Sequence, residues 1–260
     1  MAQRTHYTPG TFSWIDLTTP DQAASKRFYG ELLGWSFQDL PVGEGAYYSM
    51  AVIDGQPVAA IAPQPDQQRD AGVPPLWNSY ITVDSADAAV DRATSLGGTA
   101  HAPAFDVMQA GRMAVLQDPQ GAYFMVWEAR DTIGAGLVNA PGALTWNELT
   151  TPDLDASEDF YGDLFGWTTE IAPGPMEYRL IKSAAGRENG GMRPPMPPET
   201  PPFWLVYFGT ADITATARQV TELGGKLLAP PMTIEGMGEI AVAADPLGGV
   251  FALYAGNFHD

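Results

Sequence analysis

At 260 residues, with 45% hydrophobic and 11% aromatic residues and only 17% charged ones, the chain has the apolar content of a core-forming protein and the length for two domains. Its 31 Asp plus Glu against 13 Lys plus Arg leave a net charge of -18, which argues against nucleic acid or an anionic membrane as partner. No cysteine is present, so disulfides, thiolate metal sites and cysteine nucleophiles are excluded.

The opening MAQRTHYTPG is polar and reads as poorly ordered, with His6 solvated. It lacks an apolar signal-peptide core, and no later run approaches the roughly 18 apolar residues of a membrane span, so the expectation is a cytoplasmic protein. FSWIDLTTPDQAASKRFYGELLGW (12–35) reads as a strand, a cap and a helix. Thr19 is expected as N-cap, Pro20 at the first helical position, Gly34 as terminator, and Ala24, Phe28 and Leu32 as the buried stripe. WSFQDL, AYYSMAV (46–52) and PVAAIAP (57–63) read as three strands, the last two joined by a turn at Asp54-Gly55. A Pro-rich connector (63–75) follows.

The pattern then restarts. WNSYITV (77–83) is a strand, Ala86 to Leu96 a helix that stops at Gly97-Gly98, and TAHAPAF, GRMAVLQD (111–118) and AYFMVWEA (122–129) are strands, with Pro119-Gln120-Gly121 as a turn. The segment 131–142 reads as a linker between domains at 1–130 and 143–260. The second half replays the first. LTWNELTTPDLDASEDFYGDLFGW (144–167) matches 12–35 at 14 of 24 positions, FWLVYFG echoes WNSYITV, and GEIAVAADPLG echoes GRMAVLQDPQG. The offset falls from 132 to 127 residues across the shorter loop PPMPPETPP. The fold class is α+β: two tandem domains, each a pair of strand-helix-three-strand units.

Four such units, the W-x-x-L/TTPD/FYG/GW openings and the DPxG turns resemble the vicinal oxygen chelate (glyoxalase/bleomycin resistance/dioxygenase) superfamily, over nearly the whole chain. More narrowly, it is similar to two-domain actinobacterial members often labelled hydroxylases or antigens. The resemblance implies that paired units curl into an open cup, with first and last strands presenting inward residues to a divalent metal. Those positions fall on Trp14, the PVAAIAP stretch, Asn78 and Met125 in the first half. In the second they fall on Trp146, the stretch near Gly191, Leu205 and Ala252.

Period-2 alternation identifies the inward faces separately. It turns Ile15 and Leu17 under the helix and Trp14 and Asp16 toward the cup, with Asn78, Tyr80, Tyr123, Met125 and Trp127 beside them. The second cup takes Trp146, Glu148, Leu205, Tyr207, Val250, Ala252 and Tyr254. Tyr48, Tyr178 and Arg112 complete the candidate ligand-binding set. Of the family's metal positions only Asn78 could ligate, weakly, and His6, His101 and His259, the only three histidines, do not pair at ligand spacing. The expectation is therefore no metal and no cofactor, against glyoxalase I and extradiol dioxygenase activity, which the family performs with a metal.

Asp16 and Glu148 occupy equivalent places two residues after a Trp. A carboxylate beside an indole in an apolar cup has a raised pKa and suits acid-base work, so these are the candidate catalytic residues. The bland alternative is a carboxylate at the rim, or one bonded to a neighbouring strand or to Arg112. Arg112 is matched by Glu239, which suggests that the cups have diverged, the first more polar and the second roomier and greasier. Three functions stand open: a binder that sequesters a flat aromatic metabolite or antibiotic, a metal-free tailoring hydroxylase or oxygenase working through Asp16 or Glu148, and an interaction protein with filled cups. The partner expected is a small molecule, and a monomer is plausible because four units complete both cups, with a dimer also open.

Overall fold

The computed structural model describes residues 2–43, 45–174 and 177–258. After a short strand β1 (Ala2–Gln3), the first half contains β2 (Phe12–Thr19), α1 (Gln22–Leu33), β3 (Ser36–Gly43), β4 (Ala46–Ile53) and β5 (Gln56–Pro63). Then come α2 (Asp66–Asp70), β6 (Leu76–Thr82), α3 (Ala86–Ser95), β7 (Thr99–Ala100), β8 (Phe105–Val107), β9 (Gly111–Gln117) and β10 (Tyr123–Ala129). The connection carries β11 (Leu137–Val138). The second half holds β12 (Leu144–Thr150), α4 (Leu154–Phe165), β13 (Thr168–Ile171), β14 (Arg179–Lys182) and β15 (Glu188–Arg193). It closes with β16 (Phe203–Gly209), α5 (Ile213–Glu222), β17 (Lys226–Ile234), β18 (Gly238–Ala244) and β19 (Val250–Gly256). Each half folds into one sheet, ordered β3-β4-β5-β2-β6-β10-β9-β7 and β13-β14-β15-β12-β16-β19-β18-β17, so the opening strands of the paired units lie side by side at the centre.

The repeated TTPD tetrad caps each helix through its Asp. Asp21 and Asp153 accept the backbone N–H of Ala24 and Ala156, so the cap falls two residues later than the expected Thr19. Thr19 bonds the Ser25 hydroxyl instead, as Thr151 bonds Ser157. Gly34 and Gly166 end the helices in the left-handed region at φ 74° and 72°, which a glycine adopts without a Cβ penalty. The buried stripe of α1 runs through Ser25, Phe28, Tyr29, Leu32 and Leu33, with Ala24 only partly covered.

The two sheets share a core. One cluster joins Ile15, Leu17, Phe28, Tyr29 and Trp77 of the first half to Val206, Phe208, Val220 and Phe251 of the second. The other joins Ile81, Ala93, Phe124 and Val126 to Leu149, Phe160, Tyr161 and Trp204. The repeat motifs meet across this layer. Tyr29 donates its hydroxyl to Asp245 of the DPLG turn at 3.0 Å while accepting the Trp77 indole N–H. Tyr161 does the same with Asp118 of DPQG at 2.9 Å and with Trp204. Trp35 donates to the Gly142 carbonyl and Trp167 to that of Gly10. The DPxG turns are thus turns that also latch one half to the other.

Two segments read as loose are built in. Ala2–Gln3 pairs with Leu137–Val138, and the Tyr7 hydroxyl donates to the Ala135 carbonyl. Ala135 donates its N–H to the Ser13 carbonyl and, fully buried, packs with Val138 of the connection in the apolar cluster of Trp14, Tyr80, Met125 and Trp127 on the first sheet. The Pro-rich connector holds α2, a single short helix. His6 and His101 are exposed, and His259 lies outside the described residues.

Candidate functional site

The faces of the two sheets turned away from the shared core carry separate clusters. The first holds Trp14, Tyr80, Met125 and Trp127, with Tyr48, Met50, Met113 and Val115 partly covered beside them. The second holds Leu205, Tyr207 and Ala252, with Trp146, Phe203, Ile240, Val242, Val250 and Tyr254 partly covered. Alternation along β2 and β12 produces this split, since Ile15, Leu17 and Leu149 go to the shared core. Tyr123, at the end of β10, is a half-exposed rim residue packed on the His101 ring at 4.7 Å.

At the centre of the first cup Asp16 is 4% exposed and fully hydrogen-bonded. Oδ1 accepts from Asn78 Nδ2 at 2.8 Å, and Oδ2 from the hydroxyls of Tyr48 at 2.9 Å and Tyr80 at 2.8 Å. Register places these donors, because Asp16 lies opposite Asn78, and Trp14 opposite Tyr80, on β6. The Trp14 indole N–H donates to the Tyr48 hydroxyl at 2.8 Å, completing a chain from indole to phenol to carboxylate. Burial pushes the Asp16 carboxyl above its ordinary pKa, against the opposing pull of its three donors. Burial, and then the Asp16 charge, push Tyr48 and Tyr80 well above the usual phenol value, so both remain donors.

The second cup repeats the chain and changes its neighbours. Trp146 donates to the Tyr178 hydroxyl at 2.9 Å, and Tyr178 is hydrogen-bonded to Glu148, which also accepts from Tyr207 at 2.9 Å. Leu205 stands opposite Glu148 where Asn78 stands opposite Asp16. The lost donor is replaced from the other side, by Arg193, whose Nε donates to Glu148 Oε1 at 2.6 Å. Arg193 is paired with Thr150, and Ala62 with Thr18 at the equivalent place in the first half, which has no cation there. Gly191 makes room for this arrangement, since a Cβ there would run into the Tyr178 hydroxyl.

Two expectations are corrected. Arg112 faces the helices and not the cup: Trp127 pairs with Met113, so Met113 shares the inward face and Arg112 points the other way. It forms bidentate bonds to Asp87 in the first turn of α3 and another to Asp106. The second cup is not simply the greasier one either, because it contains the Glu148–Arg193 ion pair. The sequence reading missed Arg193, although the resemblance put a ligand position in the stretch near Gly191, and a step of two from Gly191 along β15 reaches Arg193.

The fold family implies a divalent metal, and the donor set does not fit one. Among the described residues no group of three or more His, Cys, Asp or Glu converges. At the family's ligand positions stand Trp14, Ala60, Asn78 and Met125, then Trp146, Gly191, Leu205 and Ala252, while Asp16 and Glu148 are occupied by internal donors.

The family model described as Glyoxalase/Bleomycin resistance protein/Dioxygenase superfamily matches residues 11–126 and again 143–253, so the chain belongs to that superfamily as a tandem of two of its domains. "Putative glyoxylase CFP32" of Mycobacterium tuberculosis (strain CDC 1551 / Oshkosh) is 45% identical over 257 residues, 97% of each chain. Anthracycline biosynthesis protein DnrV of Streptomyces peucetius is 32% identical over 271 residues, covering 96% of this chain and 94% of its own. Among solved structures, the Mn(II)-bound glyoxalase from Novosphingobium aromaticivorans superposes with a TM-score of 0.67 at 16% identity, covering 96% of this chain and 83% of that one. The 2,3-dioxygenase LapB from Pseudomonas sp. KL28 gives 0.67 at 13%, covering 98% and 95%. These two likenesses show the fold. No helix among the described residues is long and apolar enough to cross a membrane.

Proposed function

We propose that the protein is a metal-independent member of its superfamily that binds a flat, largely aromatic small molecule in a cup, in the sequestration or tailoring of a secondary metabolite. The observation that carries this reading is the replacement of metal-ligand chemistry by an aromatic floor: Trp14, Tyr80 and Met125 in one half, Trp146, Tyr207 and Leu205 in the other. Each aromatic ring stacked on a ligand contributes about 0.5 to 1.5 kcal/mol beyond its buried area. The relative named for anthracycline biosynthesis supports a polycyclic aromatic ligand class. The same reading includes a monomer in the cytoplasm. Native mass spectrometry of freshly purified protein tests it: the expected result is a retained organic mass, or uptake of an added polycyclic aromatic, with no metal. A metal ion bound stoichiometrically after dialysis contradicts it.

A second reading, a metal-free tailoring enzyme, draws on the buried Asp16 carboxyl, whose raised pKa suits proton transfer. Its oxygens are covered, so a proton reaches a ligand through the hydroxyl of Tyr48 or Tyr80. Turnover that survives Asp16→Asn, Glu148→Gln and the double variant removes this reading. A third, an interaction protein with filled cups, draws on the burial of Trp14, Tyr80, Met125 and Trp127, and fails if an aromatic ligand displaces none of them yet binds at the floor.

A further inference from the structure

We propose that the second cup selects a flat, apolar molecule carrying an oxyanion, such as a carboxylate or an ionised phenol, which Arg193 and Thr150 hold at the floor. This rests on the reading that the cups bind flat apolar ligands, and it specifies which cup and which polar group. Arg193 uses Nε for Glu148 and Nη1 for the Pro194 carbonyl, and its Nη2 has no partner among the described residues. Its side chain is 18% exposed, so part of it can be reached by a ligand. Thr150 lies between Arg193 and Phe203 on the neighbouring strands, on the same face. Its hydroxyl is buried and has no hydrogen-bond partner among the described residues, an unfavourable state that a ligand oxygen relieves.

The groups around this point are donors. Tyr178 and Tyr207 stay protonated and are committed to Glu148, whose acceptor capacity they and Arg193 occupy. A ligand at Arg193 and Thr150 therefore meets unused N–H and O–H groups, the Glu188 charge lying toward Tyr254, and a guanidinium fork favours a planar oxyanion. Half-buried Trp146, Phe203, Val242 and Tyr254 supply the apolar walls. The first cup is the internal control, because Ala62 stands in the place of Arg193.

Calorimetric titration of the full chain with 2-naphthoate and with its neutral isostere 2-acetylnaphthalene tests the assignment. Naphthoate is expected to bind about ten-fold tighter or more, the order of a charge-assisted hydrogen bond. Arg193→Gln removes that preference while leaving acetylnaphthalene binding in place. Glu148→Gln, which frees Arg193 from its competitor, tightens naphthoate binding and carries the test even where Arg193→Gln does not fold. Equal binding of the two probes, or a preference unchanged in both variants, overturns the oxyanion assignment while leaving the cup reading intact. Failure of both probes to bind overturns both.

Discussion

The two cups started from one design and now differ by an exchange of one donor. In each, an indole donates to a tyrosine and two tyrosines close on a carboxylate. The third donor is the neutral Asn78 in the first and the cationic Arg193 in the second, reached from opposite neighbouring strands. The first cup therefore buries a carboxylate whose hydrogen-bond partners among the described residues are all neutral, and burial raises its pKa. The second pairs its carboxylate with a guanidinium that still has N–H groups to offer. By contrast, the layer between the sheets has kept its symmetry, with each tyrosine latched to the opposite DPxG aspartate. The outer faces differ at two paired positions, Asn78 against Leu205 and Ala62 against Arg193, while the contacts of the shared core match.

If the halves are one cooperative body despite their separate cups, the largest effect comes from the shared core. Phe208, fully buried, belongs to the second half but packs on Tyr29, Trp35 and Trp77 of the first. Phe208→Ala is expected to cost about 3 to 5 kcal/mol and to shift one common transition in urea. Separate transitions for first-half and second-half probes would break the comparison. Next come Tyr29→Phe and Tyr161→Phe. Each leaves a buried Asp oxygen and a Trp N–H short of a partner, costing about 1 to 3 kcal/mol. Near-equal losses in a denaturant titration are expected, and a large inequality would show that the latches too have diverged.

A smaller effect separates the carboxylates. The folded state holds the Asp16 proton more tightly than the unfolded chain, so its contribution to stability is fullest below the unfolded carboxyl pKa and declines as pH rises through the folded one. The melting temperature of Asp16→Asn relative to wild type should rise between pH 4 and 7, and a flat or falling difference would contradict the uncompensated burial of Asp16. The smallest effect is one of ionic strength. A net charge of -18 repels an incoming anion at long range, so adding salt to about 0.1 M, where the Debye length is about 10 Å, should slightly strengthen naphthoate binding at the second cup.

Much of this architecture was legible in the residues. The repeat, the glycine terminators and the inward parity of Trp14, Asp16, Asn78, Tyr80, Met125 and Trp127 follow from spacing alone, because a strand has a fixed period of two. Arg112 was misread because its parity depends on which residue pairs with Trp127, a register that the sequence does not print. Arg193 was overlooked because its role requires Leu205 to have replaced an Asn on one neighbouring strand and an Arg to have replaced an Ala on the other. The order of the opening segment was hidden for a similar reason. Its partners, Leu137, Val138, Ala135 and Trp167, are distant in sequence and carry no local signal.

Fluorine NMR of 5-fluorotryptophan-labelled protein titrated with 2-naphthoate tests the divergence of the cups most directly. Two of the seven tryptophan resonances are assigned by Trp14→Phe and Trp146→Phe. The expected result is a saturable shift of the Trp146 resonance with Trp14 unmoved, since the second cup has Arg193 beside its carboxylate where the first has Ala62. Movement of Trp14 alone, or of both to the same extent, would contradict the account.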